Sequence, residues 1–187
     1  MARIFTTLST LSLGLVAAAL VLGLGIGDLY TSPPESSDLR LRSIHLLTGV
    51  AAALAVVLVE SIVVTYFIGT SRWCKEVTET YALDTQSLRK SIQLKRKTFP
   101  LCLVGMFTVV GVAALGARSD PGNAMENTAD WANVHLVAAL AGICLIGWTY
   151  YRAWLNISAN QTVIESLVDQ VQKIRKERGL ETADDDA

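Results

Sequence analysis

The two histidines of this chain, His45 and His135, are the residues whose type and spacing best suit cofactor chemistry. Each lies near the start of a long apolar run, in the segments SIHLL and NVHLV, and the two are 90 residues apart (135 − 45). Imidazole is the commonest protein ligand for metal ions, and a histidine within a membrane span usually marks a function. The spacing indicates a duplicated two-helix hairpin with one histidine in each copy.

Small residues follow each histidine at helical spacing, which predicts a groove below each imidazole. A flat macrocycle fits such a groove, whereas bulky side chains would fill it. Small residues also line ordinary helix contacts in membranes, so the pattern has a purely structural explanation as well. The predicted groove residues are Thr48, Gly49, Ala52 and Ala53 after His45, and Ala138, Ala139 and Gly142 after His135.

A haem b with His45 and His135 as the axial ligands of its iron is the cofactor that we predict. Haem accepts two imidazoles from facing helices, and the core of a helix bundle is a common place for such a site. Two alternatives stay open: the histidines are structural and hydrogen-bonded, or they belong to another metal or a quinone site. Zinc would need further ligands, for which the outer loops offer Asp38, Glu126 and Asp130.

The composition places the chain among membrane proteins. It has 187 residues, of which 51% are hydrophobic, and a mean hydropathy of +0.40, which is too apolar for a small soluble fold. There is no phosphate-binding loop and no Gly-x-Ser-x-Gly motif, so neither nucleic-acid binding nor hydrolysis is indicated. The three cysteines, Cys74, Cys102 and Cys144, have no metal-type spacing, and we expect reduced thiols.

Four apolar runs predict an all-α, integral membrane four-helix bundle made of two tandem hairpins. The first run is longer than the apolar part of a usual signal peptide, so we expect a span there and no cleavage. Within it Ala19, Gly23 and Gly27 recur every four residues, which predicts a close helix contact. The predicted spans cover about 4–26, 42–69, 99–117 and 131–151; Pro100 falls in the first turn of the third. The organisation is a first hairpin over 1–70, a helical loop over 71–98, a second hairpin over 99–155, and an amphipathic helix with an acidic tail over 156–187.

The distribution of lysine and arginine predicts the orientation. Segment 71–98 carries seven of these residues, whereas the other two loops carry Arg40, Arg42 and Arg118. Cytoplasmic loops are enriched in such residues, so both termini are expected in the cytoplasm, with the chain in the cell (inner) membrane. Both histidines then lie near the extracytoplasmic face. The basic run at 95–97 suits contact with anionic membrane lipid.

Glu60 is the single charge within the second span, and a carboxylate there needs a partner. Arg152, at the inner end of the fourth span, is the predicted one. The pair is either a structural contact between the two hairpins or part of a proton or quinone site.

The segment after the fourth span predicts an amphipathic cytoplasmic helix. Its apolar stripe should pack on the segment after the second span or on a partner subunit. The members of the stripe are Ile164, Leu167, Val168, Val171 and Ile174.

In its arrangement of four spans and two histidines, the chain resembles four-helix membrane cytochromes of the b type. The resemblance implies a bound haem and a role in electron transfer, as a subunit of a membrane redox or respiratory complex or as a homo-oligomer, with a quinone as one possible donor. One histidine pair limits the chain to one haem, and its small size suits a subunit better than a complete enzyme. The alternatives are a non-redox scaffold or accessory subunit that docks a partner through its cytoplasmic helices, and a haem-based sensor.

Overall fold

Four long helices make up the chain in the computed structural model, which describes residues 1–30, 36–123 and 125–180. They are α1 (Ala2–Leu24), α2 (Ser36–Thr80), α3 (Gln86–Ser119) and α4 (Thr128–Glu177), and the described part of the chain contains no strand. Each helix includes a segment that is long and apolar enough to cross a membrane. The predicted all-α bundle of four potential membrane helices is confirmed.

The helices follow one another around a square. Helix α1 packs on α2 and α4, and α3 packs on the same two helices, so α2 and α4 touch only weakly across the centre. Consecutive helices run in opposite directions, since residues near the end of one contact residues near the start of the next. The beginnings of α2 and α4 therefore lie at the same end of the bundle as the ends of α1 and α3.

The outer faces of the bundle are strongly apolar. Leu47, Phe107 and Val137 are 68%, 72% and 66% exposed, and they represent a large set of exposed aliphatic and aromatic side chains. An exposed apolar area of this extent is unusual for a protein surrounded by water and is normal for one surrounded by lipid chains. The interior, by contrast, contains many small and hydroxyl-bearing residues.

Three helices are longer than their predicted spans because the flanking polar segments are helical too. Helix α4 continues without a break from the predicted fourth span into the amphipathic segment. Helix α2 begins at Ser36, within the predicted 28–41 loop, and α3 begins at Gln86, which places Pro100 in mid-helix. The prediction of Pro100 in a first turn was therefore wrong. The proline-containing part of the 28–41 loop and the acidic tail at 181–187 lie outside the described residues.

The far half of α4 packs on the extension of α2, as its apolar stripe predicted. Val163 and Leu167 form a small core with Cys74, against which Leu83 and Leu88 pack. This burial raises the pKa of the Cys74 thiol, so the thiol stays protonated near neutral pH.

Candidate cofactor site between the histidines

The structure brings the two histidines together inside the bundle. The ring centroids of His45 and His135 are 6.2 Å apart, and the ring planes are inclined by 74°. His45 lies near the start of α2 and His135 near the start of α4, so the rings meet at one level across the bundle. Both side chains are half-buried.

Each imidazole lies against a glycine of the preceding helix. A Cβ built on Gly23 would be 2.9 Å from Cε1 of His45, and a Cβ built on Gly116 would be 2.9 Å from Cε1 of His135. Real Cβ atoms do not approach other atoms so closely, so both positions admit the imidazole only because they lack a side chain. The small-residue pattern of the first span predicted the Gly23 contact, whereas Gly116 was missed.

A backbone carbonyl orients the first imidazole. Nδ1 of His45 is 2.9 Å from the carbonyl oxygen of Ala19. Because a carbonyl can only accept, Nδ1 is the protonated nitrogen, and the lone pair of Nε2 is left for another partner. The main chain of Val112 lies in the equivalent place beside His135; no hydrogen bond forms there, and Nδ1 of His135 is buried without a partner in the described chain.

The histidines border a cavity of about 510 Å³ that is lined by all four helices. This volume lies within the range of small-molecule and cofactor sites, about 300–1,000 Å³. Most of the lining side chains are glycine, alanine and aliphatic residues. The arrangement suits a flat, apolar ligand of cofactor size that presents an atom to imidazole nitrogen.

The two hairpins contribute equivalent positions to this cavity. Lining residues of α1 recur in α3 after 93 residues (116 − 23), and lining residues of α2 recur in α4 after 90 (135 − 45). The cavity therefore has an approximate twofold axis between the two histidines. Examples are Val16 with Val109, Leu20 with Ala113, Gly23 with Gly116, Leu46 with Leu136, and Gly49 with Ala139.

Most of the predicted groove residues line the cavity. Gly49, Ala52 and Ala53 do so on α2, as do Ala139 and Gly142 on α4.

Thr48 and Ala138 do not line the cavity, and their predicted contact with a cofactor stays a prediction. Each is the third residue after its histidine. A helix turns by about 100° per residue, so the first, fourth and eighth positions after a histidine share one face, while the third points to the other side of the imidazole.

The outer end of the cavity has polar residues that were missed in the sequence. Nε of Arg42 donates to Oδ1 of Asp120 at 2.8 Å, and the Tyr30 hydroxyl donates to the carbonyl oxygen of Ser119 at 2.7 Å. All four residues border the cavity. The sequence did indicate the position of Arg42. It precedes His45 by three residues, about one helical turn, and this position lies on the same side of the helix as the first and fourth residues after the histidine.

Glu60 is fully buried deeper in the bundle, and its predicted partner is wrong. Oε1 of Glu60 accepts a hydrogen bond of 3.1 Å from Thr149, and Oε2 has no partner among the described residues. Arg152 is exposed, and it forms no ion pair with Glu60 in the described chain. A long cationic side chain reaches a polar environment at the membrane surface more easily than a buried carboxyl.

The room for Glu60 comes from Gly105, where a Cβ would collide with Oε1. The equivalent positions in the other hairpin are Tyr150 and Ser12, 90 and 93 residues away (150 − 60 and 105 − 12), and they share a hydrogen bond of 3.0 Å. The approximate twofold axis thus continues below the cavity. The Glu60 carboxyl beside Gly105 on one side corresponds to the Tyr150 phenol beside Ser12 on the other.

Among the described residues, no third metal-ligating side chain joins the histidine pair. The described residues contain no group of three or more histidine, cysteine, aspartate or glutamate side chains that could hold a metal ion. The extra zinc ligands considered at Asp38, Glu126 and Asp130 are therefore not assembled in this part of the chain. Comparison of the chain with family models, with curated proteins and with solved structures gave no match, so the interpretation of the site depends on its geometry.

Proposed function

We propose that this chain is a membrane b-type cytochrome that holds one haem between His45 and His135. The observation that carries the proposal is the pair of imidazole rings, 6.2 Å apart, in a cavity of about 510 Å³ at the centre of the bundle. These two histidines are the only ones in the sequence.

The residues present fit a haem better than they fit a metal ion alone. Two imidazoles that bind one metal ion through nitrogen, with bonds of about 2.1 Å, have ring centres roughly 6 Å apart. Haem iron needs only two axial ligands from the protein, because the macrocycle supplies the other four. The small side chains at Gly49 and Ala139 leave the space that a macrocycle would require.

The surroundings of the histidines support the role of axial ligands. The Ala19 carbonyl holds the proton on Nδ1 of His45, which leaves Nε2 free to bind iron, and such hydrogen bonds also raise the basicity of the ligand. Gly23 and Gly116 fix the positions of the rings by close contact. A haem in this site would supply one-electron transfer between its ferric and ferrous forms.

The role that follows is that of an electron-transfer subunit in a membrane redox or respiratory complex. One haem near one face cannot by itself carry an electron across the membrane, so a quinone or another subunit would be the second redox partner. In this proposal the protein spans the cell (inner) membrane, and both of its termini lie in the cytoplasm. The support is the concentration of basic residues in segment 71–98.

An optical spectrum of the protein purified in detergent, after expression with ample haem, tests the proposal. We expect a Soret band and, after reduction with dithionite, the sharp α and β bands of a low-spin haem. His45→Ala and His135→Ala should each abolish the low-spin spectrum, whereas Ser43→Ala, an exposed position beside His45, should leave it unchanged. A colourless wild-type protein that also fails to bind added haemin would overturn the proposal.

The structure weakens the support for the scaffold alternative. That hypothesis depended on the apolar stripe, but Leu167 of the stripe and the neighbouring Val163 are buried against the α2 extension. Val168 is still 36% exposed, which is a small surface for docking a second protein.

A further inference from the structure

The twofold relationship between the hairpins is broken at the outer mouth of the cavity. On the α2–α3 side the mouth carries Arg42 and Asp120, whereas the equivalent positions on the α4–α1 side are Ala132 and Gly27. Arg42 is the only lysine or arginine among the described residues that line the cavity. One side of the mouth therefore carries a cation paired with a carboxylate, whereas the opposite side carries no cation and has the Asp38 carboxylate, which accepts a hydrogen bond from the backbone N–H of Gly27.

The guanidinium of Arg42 is held firmly in this position. Its Nε and Nη2 atoms both donate to Oδ1 of Asp120, which also accepts a hydrogen bond of 2.9 Å from the backbone N–H of Gly122. A Cβ at Gly122 would collide with Nη2 of Arg42, so this turn can approach the guanidinium only because residue 122 is glycine. The side chains of Arg42 and Asp120 are only 29% and 17% exposed.

A guanidinium in this state can bind a second anion. Arginine has five N–H donors. Asp120 accepts one hydrogen bond from Nε and one from Nη2, which leaves three N–H groups for another partner. Hydrogen bonds from a guanidinium to a carboxylate are roughly twice as strong as neutral ones, and partial burial reduces their screening by water and salt. Fixing the side chain in advance also lowers the entropy cost of binding.

We propose that Arg42 is a carboxylate-binding residue that fixes the polar edge of the cavity's ligand at the α2–α3 side of the mouth. This inference rests on the proposed haem function, since haem b combines a flat apolar body with two carboxylates on one edge. His45 and His135 would hold the apolar body of such a ligand, and Arg42 would hold its carboxylates at the mouth. Ala132 and Gly27 on the other side offer no cation, and the Asp38 carboxylate beside Gly27 would repel a second carboxylate, so one orientation is selected.

Tyr30 also lies at the mouth of the cavity, and its side chain adds no negative charge there. Its hydroxyl reaches from the segment after α1 to the Ser119 carbonyl at the end of α3. Burial, and secondly the negative charge of Asp120, raise the pKa of Tyr30, so the phenol stays neutral at physiological pH.

Titration of the haem-free protein with haemin and with haemin dimethyl ester, followed by absorption in detergent, tests this inference. The ester keeps the macrocycle and the iron but has no free carboxylates. Arg42→Gln should weaken haemin binding about tenfold and leave binding of the ester unchanged. Arg40→Gln is the matched control, because Arg40 is exposed two residues away and does not border the cavity.

Asp120→Asn is the second variant, and it should act in the opposite direction. Asparagine still accepts the hydrogen bond from Arg42 but removes the competing negative charge, so haemin should bind a few-fold more tightly. If Arg42 served only to attach the α3–α4 loop, Arg42→Gln would weaken haemin and the ester equally, and the inference would be wrong. Equal haemin affinity in wild type and Arg42→Gln would overturn this inference alone, whereas a wild type that binds neither compound would overturn the proposed function with it.

Discussion

Gly116 lies directly against the ring of His135, with 2.9 Å between Cε1 of the ring and the point where a Cβ would stand. Gly23 has the same relationship to His45, 93 residues earlier in the chain. A contact this close holds the imidazole in one place, because the ring is confined on the side of the glycine. The histidine pair is therefore positioned by backbone contacts as well as by the helices that carry it.

Replacing Gly116 with alanine should displace the imidazole of His135. We expect haem affinity to fall by about tenfold and the free energy of unfolding to fall by about 1–3 kcal/mol, as is usual for an extra methyl group in a packed interior. Haemin titration and thermal unfolding in detergent measure the two effects. Gly111→Ala on the same helix is the control, since a Cβ there meets nothing within 4 Å. Equal haem affinity in both variants would show that the glycine contact has no positioning role.

Filling the cavity should remove haem binding without unfolding the protein. A Cβ on Gly49 would meet nothing within 4 Å, although Gly49 borders the cavity. Gly49→Phe places a phenyl ring in the space below His45, so we expect loss of haemin binding and an unchanged or slightly raised thermal stability, by up to about 2 kcal/mol. The equivalent change on α4, Ala139→Phe, should act in the same way.

The control for cavity filling is Gly111→Phe, at an exposed position of α3 that does not border the cavity. It should bind haemin like the wild type. Undiminished haemin binding by Gly49→Phe would place the ligand elsewhere in the molecule.

The helices could be predicted from the sequence because an apolar run long enough to cross a membrane indicates a membrane-spanning helix. The histidine pair was also predictable, since a repeat of 90 residues places equivalent side chains face to face. The positions of Thr48 and Ala138 were not, because the rotation of a helix about its axis is fixed by contacts with its neighbours. The Arg42 contact with Asp120 joins the start of α2 to the residue after α3, 78 positions apart (120 − 42), and no local pattern specifies such a pair.

Glu60 is fully buried, and Thr149 donates a hydrogen bond to its Oε1, so substitutions can separate the need for an acceptor from the need for a charge. Glu60→Gln keeps the shape and the acceptor for Thr149, so we expect a change in the free energy of unfolding of less than about 1 kcal/mol. Glu60→Ala leaves a cavity and an unpaired hydroxyl at Thr149, which should cost about 2–5 kcal/mol. Thermal unfolding in detergent measures both.

Gly105→Ala is the companion variant, because its Cβ would collide with the Glu60 carboxyl. It should destabilise the wild type more than the Glu60→Ala protein, in which only the Thr149 hydroxyl stays in tight contact with the new methyl group. A strong loss of stability in Glu60→Gln would instead indicate that a charged carboxylate is required in the bundle.

The orientation can be tested with single cysteines in the loops. Asp84 lies in the loop between α2 and α3, and Met125 lies in the loop between α3 and α4; both are exposed. With both termini in the cytoplasm, a membrane-impermeant maleimide applied to spheroplasts should label Met125→Cys and spare Asp84→Cys until the membrane is opened. Labelling of Asp84→Cys alone would reverse the orientation and place the histidines near the cytoplasmic face.

The packing of α4 on the α2 extension predicts a protected thiol at Cys74. Cys74 is fully buried beside Leu167, and burial raises its pKa above the usual value of a thiol. Alkylation requires the thiolate, so iodoacetamide at pH 8 should modify Cys74 far more slowly than a free cysteine, with the rate rising as the pH rises.

Leu167→Ala should open this contact and accelerate the modification, at a cost in stability of about 2–5 kcal/mol. Peptide mass spectrometry after timed alkylation measures the rate, with Val168→Ala on the more exposed side of α4 as the control. Rapid modification of Cys74 in the wild type would mean that the far half of α4 does not stay on the α2 extension in solution.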